Sequence, residues 1–354
     1  MAAPRCVPGA LSACGAGASA SRRHGQTINE ATGSGSQAAL STTSSSRTRT
    51  AGAFTRPTPM ERPRNLAPFQ RRFAREEGAW RPAGRRVFGS SAVYETTLIA
   101  PGGSRPAGLA WMDTHLMSAR LYSGSRSPGG DPYRYTAPIG PGIARYLVAA
   151  FNGGFMMSAA EGGYYLEGRT IDPLRTGAAS LVIYKNGSVN VGAWGREVRM
   201  SAQVASVRQN LMPLISGGQA TPRAASPDWL VWGATCGVSS CSGPGIESQW
   251  RSGLGITADG ALVYAQGPAL DPLQLARLLA RAGVVRGMQL DINPDWPIFA
   301  AYSPNGERGL ASVANGSRLL AGSIQSPATF FDPSWARDFI TMSARHPPGA
   351  TSLP

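Results

Sequence analysis

The chain has 354 residues, is 42% hydrophobic and carries a formal net charge of +14. It is long and apolar enough for one large domain or two ordinary ones. Its 44 Gly and 28 Pro exclude a helical bundle in favour of many turns and short elements, and no window approaches the roughly 18 consecutive apolar residues of a transmembrane helix.

Residues 1–50 contain no Phe, Trp or Tyr and are crowded with Ala, Gly, Ser, Thr and Arg. Such a segment cannot bury enough apolar area to offset chain entropy, so disorder is expected there. The first thirty residues do not read as a signal peptide: Pro8 and Gly9 break the apolar stretch, and no apolar region follows Arg22–Arg23. Residues 51–87 are rich in Arg and Pro and read as linker, with one short helix around QRRFAREE. The first 87 residues hold 14 Arg and 4 Glu, so most of the basicity is N-terminal. Aromatics are not interleaved with these cations, which favours a solvated tail over a nucleic-acid track. Across the chain 33 Arg stand against a single Lys, Lys185, a skew that reads as genomic base composition.

The folded domain is expected over 88–345, followed by a tail at 346–354. SAVYETTLIA (91–100) and HLMSARLYSG (115–124) alternate as strands, with His115 a half-buried structural residue within the second. RYLVAAFNGGF (145–155) is an apolar run stopped by Asn152-Gly153-Gly154. Residues 179–194 form a hairpin around Asn186-Gly187, expected as a type I′ turn, and 251–267 form another, turning at Asp259-Gly260. A helix opens at Asp271-Pro272, with Leu273, Ala276, Leu279 and Ala280 on one face and Leu275 and Leu278 beside it, and closes at Gly283. The segment VVRGMQLD then runs as a strand that delivers Asp291, Asn293 and Asp295 at its exit. In mixed sheets, ligand crevices lie off the carboxyl ends of strands. The fold class is α+β: twisted, mostly antiparallel sheet with a few covering helices, in one domain after the tail.

Candidate chemistry is narrow. A serine or cysteine nucleophile lacks a partner His in the folded region. Cys236 and Cys241, a C-x4-C pair with no further Cys or His nearby, offer a local disulfide or two unpaired thiols, not a zinc site. Asp291-x-Asn293-x-Asp295 begins like a calcium loop but lacks its Gly and final Glu, which leaves only a looser calcium site open and otherwise no cofactor. Carboxylates, amides and Arg remain: Glu167, Arg169 and Asp172 among aromatics and glycines, Arg251 at a strand start, and Asp291. Paired carboxylates are the usual means of breaking a glycosidic bond, and Arg suits phosphate.

The ordered set AAFNGGF (149–155), LVIYKNGSVNVG (181–192), NLMPLISGGQ (210–219), RSGLGITADGALVYAQG (251–267) and LARLLARAGVVRGMQLD (275–291) resembles the phosphodiester glycosidase family, in a branch of actinobacterial type, over roughly 88–340. The resemblance implies a hydrolase that cleaves a sugar-1-phosphodiester in a surface or cell-wall glycan, outside the cytoplasm. It maps the family's Asn-Gly-Gly turn to Asn152, Gly153 and Gly154, its strand-opening Arg to Arg251, and its Leu-Asp-Gly-Gly Asp to Asp291. Here that motif reads Leu-Asp-Ile-Asn, without the glycines that let backbone approach a ligand closely. The expected assignments are Asp291 with Glu167 or Asp172 as catalytic carboxylates, Arg251 and Arg169 on the phosphate, Asn152, Gly153 and Gly154 at the sugar, and Asn293 and Asp295 at the rim. The expected partner is the glycan or sugar phosphate, with no specific nucleic acid. The alternative is a glycan-binding or envelope-scaffold domain without turnover, motivated by the altered residues after Asp291.

Overall fold

Short alternating segments pair into three antiparallel sheets. The computed structural model describes residues 55–70, 77–129, 133–226, 249–306 and 309–346. The tail before residue 55, most of the helix expected around 70–77, and Cys236 and Cys241 lie outside the described residues. The first sheet runs β1 (Arg81–Val87), β2 (Ser90–Ile99), β3 (Pro106–Met112), β14 (Leu262–Leu270), β13 (Gln249–Thr257), β15 (Val284–Gln289), β11 (Pro213–Ser216) and β12 (Gln219–Ala220) in space. The second runs β7 (Arg169–Asp172), β6 (Tyr164–Leu166), β10 (Val204–Gln209), β8 (Ala179–Tyr184) and β9 (Val189–Ala193). The third runs β17 (Gly316–Arg318), β16 (Phe299–Tyr302), β5 (Leu147–Asn152), β18 (Phe339–Ala344) and β4 (Met117–Tyr122). With two α-helices described, α1 (Pro141–Ala144) and α2 (Pro272–Arg281), the class is α+β, with the sheets antiparallel throughout.

The first sheet is buried on both faces, which explains the nearly continuous apolar run ALVYA in β14. Leu262 and Tyr264 point into a central core, where they meet Leu181 of the second sheet and Phe151, Phe299 and Ile340 of the third. Val263 and Ala265 point the other way, onto a second core with Leu275, Leu278 and Leu279 of α2. Each of those leucines is fully buried, worth about 1.5–3 kcal/mol. Gly253 of β13 lets the helix close down: a Cβ there would stand 3.0 Å from Leu275 and 3.1 Å from Leu279.

Asp271 caps α2 through a capping box with Gln274, and Pro272 fills the first turn, as the sequence predicts. The buried stripe is centred nearer Leu275 and Leu278, the pair expected beside the face, than Leu273 and Ala280. Leu275, Ala276, Leu278 and Leu279 are buried, while Leu273 and Ala280 are half-buried. A helix lying over a wide sheet buries a broad face, and Leu275 and Leu278 sit at its centre. The helix links β14 to β15, which flank β13 on either side, each antiparallel to it. β15 therefore runs parallel to β14 and carries Leu290 and Asp291 out at its carboxyl end.

The linker expected over 51–87 is already part of the domain in its second half. RPAGRRV forms β1, paired with β2 from Arg81↔Glu95 to Val87↔Ser90. Its polar composition hid it, because Arg85 is buried and donates to the carbonyls of Gly309 (2.8 Å) and Ala144 (3.3 Å). Upstream, Leu66 and Phe69 pack against the helix-side core, and Asn65 accepts from the Trp80 amide at 3.1 Å. The β1–β2 turn, Phe88-Gly89, has positive φ at both residues, 51° and 83°, the geometry of type I′. At Asn186-Gly187 only Gly187 is left-handed (φ 78°), and Tyr184 N donates to Ser188 O across a longer loop; the type I′ expectation there is corrected. His115 is likewise not a half-buried strand residue. It is exposed in the turn before β4, its Nδ1 3.2 Å from Thr58 O.

Candidate active site

Three sheets meet where β5 and β15 end, and a buried polar cluster fills the junction. Asp291, 1% exposed, is its centre. Its Oδ1 accepts from the amides of Ile292 (2.8 Å) and Asn293 (3.0 Å), and its Oδ2 accepts from the guanidinium of Arg337. Burial pushes the carboxyl up to about 6, against the opposing pull of Arg337 and the two amides. The Arg337 guanidinium lies 4.7 Å from the Trp296 ring centre, and its buried Nε has no hydrogen-bond partner among the described residues.

Ser252 ties this carboxylate's strand to β5. Its hydroxyl accepts from the Asp291 amide and from Asn152 Nδ2, both at 3.1 Å. Asn152 Oδ1 in turn receives Ile298 N at 3.1 Å and lies 2.6 Å from the Tyr264 hydroxyl. That phenol is also 2.9 Å from Gln266 Oε1, and with a single proton it serves one acceptor at a time. Burial, with the Asp291 charge nearby, holds the phenol well above its ordinary range, so it stays neutral and donates.

Beneath lies a second ion pair. Arg208, 1% exposed, donates from Nε to Asp338 Oδ2 at 2.7 Å and from Nη2 to Oδ1 at 3.2 Å. Asn210 bridges the sheets, donating to the carbonyls of Gln289 and Leu290 (2.9 Å each) and accepting from Phe155 N. Gly153 and Gly154 lie against this layer. A Cβ at Gly153 would come within 2.3 Å of Asp338 Oδ2, and one at Gly154 within 2.5 Å of Asn210 Oδ1. The Asn-Gly-Gly turn thus lacks side chains because Asp338 and Asn210 occupy the space.

The structure brings Asn152, Gly153, Gly154 and Asp291 together, and puts Asn293 and Asp295 exposed on the turn above them. Asn293 Oδ1 accepts from Asp295 N, so Asp291 and Asn293 each cap a turn with their own side chain, one directly after the other. Arg251 is buried beside this cluster with its guanidinium engaged: Nε donates to Leu270 O at 2.6 Å and Nη1 to Gln289 Oε1 at 2.8 Å. Burial lowers it to about 10. The guanidinium that meets the Asp291 carboxylate is that of Arg337.

Glu167 and Asp172 are placed differently. Glu167 is exposed in the β6–β7 turn (φ 53°), its Oε1 accepting from Arg134 N at 2.8 Å, and Arg169 lies 5.2 Å from the Tyr133 ring centre. Asp172 ends β7 opposite Tyr164. Glu167 lines a cavity of about 790 Å³ between β4 and the second sheet, and neither Asp291 nor Asn152 borders it. Among the described residues, no group of three or more His, Cys, Asp or Glu could hold a metal ion, and no helix is long and apolar enough to cross a membrane.

No protein-family model matches the chain, and no curated protein does. Among solved structures, it is similar to the zebrafish N-acetylglucosamine-1-phosphodiester alpha-N-acetylglucosaminidase catalytic domain auto-inhibited by its pro-peptide. That match has 13% identity and a TM-score of 0.41, and covers 80% of this chain and 96% of that one. A hypothetical protein from Synechocystis matches at 10% identity and a TM-score of 0.38, over 75% of this chain and 64% of that one.

Sequence reading missed Ser252, Tyr264, Arg208, Asn210, Arg337 and Asp338. Asn210 opens the segment NLMPLISGG, and Arg337-Asp338 stands immediately before the apolar strand FITM. An adjacent Arg-Asp pair at a strand entrance was the available signal.

Proposed function

We propose that the protein is a hydrolase that cleaves the glycosidic bond of a sugar-1-phosphodiester, with Asp291 as its central carboxylate. The observation that carries this reading is the Asp291–Arg337 pair: a buried carboxyl raised to about 6, beside a guanidinium with one donor unused. Catalytic groups tend to have their pKa values moved by burial toward working pH. Above about pH 6, ionised Asp291 would attack the anomeric carbon to give a glycosyl ester that water then hydrolyses, or would take a proton from a water that attacks this carbon directly. The bond between that carbon and the phosphate oxygen would break, and the phosphate would leave with the bonding electrons. Phosphate needs no strong general acid, and Arg337 would stabilise the departing charge. Arg337 thereby takes the role that the sequence suggested for Arg251. Asn152 would orient the sugar, and access would require the turn carrying Asn293, Asp295 and Trp296 to lift. The resemblance implies a surface or cell-wall glycan as substrate and an extracytoplasmic place of work.

A second reading, a glycan-binding domain without turnover, draws on the same carboxylate. Both Asp291 oxygens are already engaged, and one of them shapes the following turn. The test is release of free sugar by the full chain from a panel of sugar-1-phosphodiesters, beside Asp291→Asn. Release that falls by several powers of ten in a folded variant supports the hydrolase. Saturable binding with no release from any diester supports the second reading instead.

A further inference from the structure

We infer that the groove between β4 and the second sheet is a separate binding site for an anionic saccharide, a sugar or short glycan bearing phosphate or carboxylate. Its volume of about 790 Å³ falls within the usual range for small-ligand sites. Arg120, Arg134, Lys185 and Arg345 line it, against one carboxylate, Glu167. The ion pairs of the described residues leave Arg120, Arg134 and Lys185 without a carboxylate partner.

The cations are held in place rather than scattered. The guanidiniums of Arg120 and Arg134 share one aromatic ring, lying 4.9 and 5.3 Å from the Tyr135 centre. The ring's face attracts each, yet the two charges repel. A bound anion relieves that repulsion through charge-assisted hydrogen bonds. Arg345 is fixed at the border by donating to Asn186 O (2.8 Å) and Thr114 O (3.2 Å).

Glu167 decides the ligand class. Its Oε1 fixes the Arg134 backbone, and no hydrogen bond or ion pair among the described residues takes up its Oε2. A carboxylate in the wall opposes a track for a polyphosphate backbone, whereas it accepts well from sugar hydroxyls. Half-buried Tyr165 adds an aromatic face beside it. The site requires no turnover at Asp291.

Lys185 is the only lysine in the chain, which gives a site-specific reporter. The full-length protein is acylated with an N-hydroxysuccinimide ester, and Lys185 modification is read by mass spectrometry with the terminal amine as reference. Glucose 1-phosphate or trigalacturonate at saturation should slow Lys185 acylation at least fivefold, and neutral maltotriose should not. Arg120→Ala with Arg134→Ala should raise the half-protecting concentration at least tenfold while the thermal midpoint stays unchanged. Should that double variant fail to fold, the wild-type protection pattern decides alone. Absence of protection by both anionic sugars, or undiminished protection in the folded double variant, overturns the proposal. Protection by oligothymidylate alone also overturns it, and gives the groove to single-stranded nucleic acid.

Discussion

The Asp291 cluster and the Arg120–Arg134 groove use the same residue types in opposite ways. In the cluster Arg337 and Arg208 are buried against Asp291 and Asp338. In the groove Arg120, Arg134 and Lys185 line open space and have no carboxylate partner among the described residues. Charge taken out of water must be matched within the protein, so the cluster locks strand ends together and shifts a carboxyl. Charge left at a concave surface costs the fold little and stays available to a ligand. The first region should therefore answer to substitution through stability and pH, the second through binding alone.

The largest stability effect is expected where a buried charge is stranded. Arg208→Met leaves Asp338 unpaired and should cost about 3–5 kcal/mol in denaturant unfolding, with much of the loss recovered by adding Asp338→Leu. A loss below about 1 kcal/mol would show that the pair is not sealed from water.

The next effect is a pH dependence with a defined sign. The Asp291 carboxyl is raised in the folded state, from an ordinary 3.8 to about 6. Its favourable contribution is fully present below about pH 4 and is lost as pH rises through 6. Relative to Asp291→Asn, the wild-type chain should lose on the order of 3 kcal/mol of stability across that window and then level off. Glu95, which burial pushes up to about 7, titrates in both chains and cancels. A flat difference would mean that Asp291 keeps an ordinary carboxyl.

Smaller still, Asp271→Ala removes the capping box of α2 and should cost about 1 kcal/mol, measured by the same unfolding curves. Smallest of all, Arg120→Ala with Arg134→Ala should stay within about 0.5 kcal/mol of wild type, as surface changes do. A larger cost would place those arginines with the buried cluster rather than with the groove.

Much of this architecture is legible in the sequence, because local rules and packing agree there. Asp271-Pro272, Gly283, the apolar run ending at Asn152 and the strand leading to Asp291 each follow from capping, turn or burial patterns. β1 was hidden because its polar composition conceals a buried Arg85. Half of the candidate site was hidden for a related reason. Ser252 and Arg337 reach Asp291 from 39 and 46 residues away, and Arg208 meets Asp338 across 130. No local periodicity encodes such meetings; only sheet topology makes them. Glu167 shows the converse. Its composition suggested a partner for Asp291, but a three-residue strand and a left-handed turn carry it out to the groove.

Ionised Asp291 is proposed to drive release of sugar from a phosphodiester. The most direct test is the pH profile of kcat/KM for the full chain on a cleaved sugar-1-phosphodiester, alongside Asp291→Asn. The wild-type profile should rise with pH to a plateau above about 6, and the folded variant should lose several powers of ten and that rise. An unchanged rate and profile in Asp291→Asn would contradict that role of Asp291.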